Sequence, residues 1–89
     1  MEHLGNTATF IIGQATPGEL PDALTRFGIE GAYIGPQAQG LWRGNLENAV
    51  LVKVDGLTST QAITLARQLK EYFGQGSIVL EYGMEAYLV

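Results

Sequence analysis

Cysteine is absent from this sequence, and histidine occurs once, as His3. Without thiols the chain has no disulfide framework, no zinc finger and no cysteine nucleophile. Charge is scarce as well. Asp, Glu, Lys and Arg make up 16% of the chain, where an average domain carries about 25%. The five basic residues are outnumbered by nine acidic ones, for a net charge of −4. Arg26, Arg43, Lys53, Arg67 and Lys70 are also dispersed, so no basic stripe exists to meet a phosphate backbone. This reading excludes nucleic acid as a direct partner. No window reaches the ~18 apolar residues of a membrane span. Residues 1–7 have no positive start and no apolar run, so they read as an N-terminal tail rather than a signal peptide. The expectation is a soluble, cytoplasmic protein that does not engage membranes.

What the chain has is apolar content: 46% of its 89 residues are hydrophobic. That length leaves room for one core, so residues 1–89 are read as a single domain.

Residues 8–13, Ala-Thr-Phe-Ile-Ile-Gly, are a run of β-formers and predict a first strand. Thr16 and Glu19 have the spacing of a capping box. A helix capped by Thr16 would place Pro21 at its fifth residue, where an amide hydrogen is needed. A start at Gly18 or Glu19 instead puts Pro21 in the first turn, where its missing donor costs little. Leu20, Ala23, Leu24 and Phe27 then form a helical stripe, and Gly28 ends it.

The stretch 31–48 is dense in glycine. Ala32-Tyr33-Ile34 reads as a short strand, 35–40 as a turn, Leu41-Trp42-Arg43 as a second short strand and 45–48 as another turn, which allows an extra hairpin here. Residues 49–54 are a clear strand. Thr58 and Gln61 form a capping box, Ala62, Leu65, Ala66, Leu69 and Phe73 a continuous apolar stripe, and Gly74 a stop. Residues 77–82 predict a strand. The even positions from Ile78 to Leu88 keep one apolar phase, which favours a long strand bent at Gly83 over a reversal. The order is β-α-β-β-α-β. It resembles the ferredoxin-like arrangement, an α+β fold with two helices on one face of a four-stranded antiparallel sheet, here with a C-terminal strand extension.

Motifs for catalysis are missing. The glycines of 31–44 match neither a P-loop nor a dinucleotide fingerprint. His3 lies three residues from the start, with nothing in the sequence to orient it. Glu47, Asp55, Glu81 and Glu85 are candidate acid/base groups. On one extended strand, however, Glu81 and Glu85 stand ~13 Å apart on the same face, too far for a carboxylate pair. Ser59 and Ser77 are explained as a first-turn helix residue and a strand start. No metal-loop pattern and no cofactor motif is present.

The strongest signal is physical. A sheet with helices on one face leaves the other bare, yet these strands are apolar in both phases: Ile11 beside Phe10 and Ile12, Leu51 beside Val50 and Val52, Val79 beside Ile78 and Leu80, Tyr87 beside Leu88. A patch of that kind exceeds what monomers expose. It predicts a covering chain, most simply a second copy in a homodimer. Tyr33, Trp42 and Arg43 add a recognition surface on the glycine-flanked hairpin, because Trp, Tyr and Arg dominate interface hot spots. Leu51 and Tyr87 represent the sheet face. The expected function is therefore a non-enzymatic protein-binding module, an inhibitor or adaptor, that binds itself and another protein. An alternative is a dimeric enzyme or ligand-binding domain, with Tyr33, Tyr82, Tyr87 and Glu81 lining a pocket between sheet and helices. A third is a structural subunit of a larger particle.

Overall fold

The computed structural model describes residues 6–89. His3 and most of the expected tail lie outside the described residues. The elements are β1 (Thr7–Gly13), a 3-10 turn at Pro17–Glu19, α1 (Leu20–Arg26), β2 (Tyr33–Trp42), β3 (Asn45–Asp55), α2 (Ser59–Tyr72), β4 (Val79–Tyr82) and β5 (Glu85–Leu88). β1 thus begins one residue inside the expected tail, where Thr7 pairs with Asp55 through the ladder and donates its hydroxyl to Asp55 Oδ1 at 2.6 Å.

All strand pairings are antiparallel, in the order β2-β3-β1-β4-β5. The first four strands have the ferredoxin-like topology, and β5 adds an edge strand beside β4. The helices begin where the local chemistry puts them. Pro17 and Pro21 occupy opening turns, where no backbone donor is lost. Thr58 accepts from the Gln61 amide while the Gln61 side chain accepts from the Thr58 amide, which completes the capping box of α2.

Both helices pack on one face. Leu20, Ala23 and Leu24 of α1 and Ala62, Leu65, Ala66 and Leu69 of α2 are buried against Ala8, Phe10, Ile12, Val50, Val52, Val54, Ile78 and Leu80. No described polar or charged residue is buried with them. These side chains form one continuous apolar layer between sheet and helices.

Two stretches differ from the sequence reading. Residues 33–55 form a single long hairpin, not a set of short strands and turns. Its reversal is the two-residue turn Arg43-Gly44, with both φ angles positive (50° and 80°), as a type I′ turn requires. The glycines at 35 and 40 sit inside β2. Gly35 lies at a bulge, where a Cβ would approach the Leu51 carbonyl oxygen to 3.2 Å. The C-terminus, in turn, is not a bent strand. β4 and β5 fold back on each other through Gly83-Met84, with Tyr82 opposite Glu85 and Val79 opposite Leu88. A two-residue reversal exchanges odd and even positions, so the apolar phase of 78–82 does not continue on the same face of 84–88.

Candidate functional site

The ladder registers sort the open face into rows that run across the sheet. Tyr33, Lys53, Thr9, Glu81 and Ala86 lie abreast in one row. The next row is Leu51, Ile11, Val79 and Leu88, entirely apolar. Beyond it come the small residues Ala38, Ala49 and Gly13. The opposite phase, Phe10, Val52 and Leu80, is the one beneath the helices. Leu51, Ile11 and Val79 are half-buried by neighbours within the sheet, and Leu88 is 66% exposed. Among the described residues no helix covers this face. It is not apolar throughout, because Thr7, Thr9, Lys53, Asp55 and Glu81 make its other end polar.

β2 and β3 run on past the end of β1. The last β1 pair is Gly13 with Ala49, and four further pairs reach Trp42–Asn45. The hairpin therefore projects as a two-stranded arm of roughly 14 Å. Its root is tied down where the Gln14 amide donates to the Asn48 carbonyl at 2.6 Å and the Gln14 side-chain amide donates to Glu47 Oε2 at 3.3 Å. Leu41, Trp42 and Leu46 near its tip are 70%, 57% and 67% exposed. The Arg43 guanidinium lies 5.7 Å from the Trp42 ring centre, within cation–π range.

A cleft of about 340 Å³ opens where the arm leaves the sheet. Ile11, Val79, Leu88 and Trp42 are among its apolar walls, and Glu47, Gln75 and Ser77 are its polar side chains. Gly13 makes room for that carboxylate, since a Cβ there would stand 3.0 Å from Glu47 Oε1.

The residues named from sequence do not all meet. Tyr33 and Leu51 share a depression on the open face with Gly35, Pro36 and Lys53. Trp42 and Arg43 share the arm tip, about 30 Å from Tyr33 along β2. The bulge inserts one extra residue between Ile34 and Gln37, which turns Tyr33 and Trp42 to the same face despite their opposite parity. Tyr87 lies elsewhere. It is paired with Leu80, in a row on the helix side at the sheet edge, and its phenol donates to Glu85. That carboxylate, first by the hydrogen bond and then with desolvation and its charge, pushes the Tyr87 phenol above its ordinary range. Leu88, one residue on, is the side chain that joins Leu51. Glu81 and Glu85 fall on opposite faces of different strands, so they form no pair. Tyr82 donates its hydroxyl to the Leu57 carbonyl at 2.8 Å. The four residues expected to line an interior pocket thus split between the two faces, Tyr33 and Glu81 on the open one and Tyr82 and Tyr87 in the helix-side phase. Among the described residues no group of three acidic or histidine side chains is placed to hold a metal, and no helix is long and apolar enough to cross a membrane.

The sequence matches no protein-family model, and no curated protein matches it. Its fold has a counterpart. CPII, a nitrogen regulatory PII-like protein from Thiomonas intermedia K12 whose structure was solved bound to ADP, AMP and bicarbonate, superposes with a TM-score of 0.61. The match is 17% identical and covers 94% of this chain and 90% of CPII. A likeness at that identity establishes the ferredoxin-like fold and transfers no function by itself.

Proposed function

We propose that this protein is a non-enzymatic binding module: it associates with a second copy through the open sheet face and uses the hairpin arm to hold another protein, as an adaptor or inhibitor does. The observation that carries this reading is the uncovered row Leu51–Ile11–Val79–Leu88, continuous with the small residues beside it. Covering what remains exposed of Ile11, Leu51 and Val79, at most about a third of each, is worth ~0.5–1 kcal/mol apiece, and covering Leu88, 66% exposed, about 1–2 kcal/mol. Four of them reach only the lower end of the ~4–15 kcal/mol cost of association, so a symmetric contact that counts each residue twice fits better than a one-sided one. Edge-to-edge assembly is less favoured. Pro36 on edge strand β2 has no amide to donate, its neighbourhood is bulged, and the other edge, β5, is four residues long.

CPII binds nucleotides, and a small-molecule role here would fall to the cleft at the arm root. Among the described residues that line it there is no lysine or arginine, and Glu47 puts a carboxylate where a phosphate needs a cation. The cleft chemistry therefore lends the nucleotide reading no support.

Light scattering coupled to size exclusion tests the proposal. At tens of micromolar the expected mass is twice that of the 9.6 kDa chain. A single 9.6 kDa species would overturn it.

A further inference from the structure

We infer that Lys53 and Glu81 form the recognition pair of this self-association: Lys53 of one copy meets Glu81 of the other across the open face. The inference rests on the proposed association and adds what orients it.

The two residues are exposed and stand in one row, on either side of Thr9, so two strand spacings of about 10 Å separate them. One flank of the row carries a positive charge and the other a negative one. The apolar row beside it has Ile11 at its middle, with Leu51 on the lysine flank and Val79 on the glutamate flank. A copy rotated by a two-fold axis across the strands, along the charged row, would set lysine over lysine and glutamate over glutamate, so like charges would oppose each other. A copy rotated by a two-fold axis along β1 keeps each row at its own height and exchanges the flanks. Lys53 then faces Glu81 twice, Leu51 faces Val79 twice, and Ile11 meets its own counterpart. The rotation that satisfies the charges is the one that stacks the apolar rows. A mixed-charge row at the rim of an apolar strip sets orientation more than affinity, which is what a homotypic contact needs to exclude the wrong stacking.

The test uses three variants of the full chain: Lys53→Glu, Glu81→Lys and the double exchange. Both positions are exposed, so each variant should keep the wild-type circular dichroism spectrum. Each single variant places like charges in apposition and should weaken the dimer at least tenfold by sedimentation equilibrium. The double exchange restores opposite charges and should return the dissociation constant to within about threefold of wild type. High salt should narrow the gap between singles and wild type. Single variants that dimerise as tightly as wild type, or a double exchange no tighter than the singles, would overturn the pair while leaving self-association intact. A wild-type chain that stays monomeric would remove the association itself, so the two failures are distinguishable.

Discussion

Tyr82 shows how a single side chain holds the sheet to its crossover. It sits at the end of β4 in the phase that faces the helices, and its hydroxyl reaches back 25 residues to the Leu57 carbonyl just before α2. Replacement by phenylalanine keeps the ring packing and leaves that carbonyl unpaired. The expected loss is about 1 kcal/mol of stability, measured by urea denaturation, with no change in association because Tyr82 is not on the open face. Loss of association in Tyr82→Phe would place this residue in the interface instead. Tyr87 is a contrast. It is five residues further on and chemically identical, but it pairs with a carboxylate at the sheet rim and anchors nothing in the core. Residue type and parity did not separate the two tyrosines. The hairpin register between β4 and β5 does.

The elements differ in how far the sequence foretells them. α2 is legible because a capping box, a stripe at helical spacing and a terminal glycine all agree. The strands β1, β3 and β4 are legible as runs of β-formers, and their two apolar phases separate into Phe10, Val52 and Leu80 beneath the helices and their neighbours on the open face. The open-face candidates Ile11, Leu51 and Val79 follow from the same alternation. The hairpin is legible as a glycine-flanked reversal in 31–48, but its length and register are not, because glycine composition reads as a break wherever it occurs. Here the ladder with β3 holds Gly35 and Gly40 in strand, and only Gly44 supplies a turn. Trp42 is a candidate for recognition by its type, and only the ladder places it exposed at a tip. Arg43 occupies a left-handed conformation (φ 50°) that asparagine tolerates better. Arg43→Asn should therefore stabilise the hairpin by about 0.5–1 kcal/mol in thermal unfolding, and a lower melting temperature would show that the Arg43–Trp42 contact outweighs the turn. Trp42→Ala, at an exposed site, should leave thermal unfolding nearly unchanged and abolish capture of the partner protein. A large loss of stability would return Trp42 to a packing role.

The ferredoxin-like sheet gives this chain one closed face and one open face, and among the described residues no helix lies over the second. Charge and apolar surface on that face are arranged along the same rows, so the proposed association and its proposed orientation draw on one register. The arm extends the face beyond the sheet and keeps three large apolar side chains in solvent, where a two-stranded ribbon is marginal without a partner. The most direct measurement is isotope-filtered nuclear Overhauser spectroscopy on a sample mixed from carbon-13-labelled and unlabelled chains, unfolded together and refolded. The account predicts cross-peaks between copies from the methyl groups of Leu51 to those of Val79, and from Ile11 to Ile11. Methyl groups on this face that show no contact between copies and are relaxed by a paramagnetic agent in the solvent would contradict it.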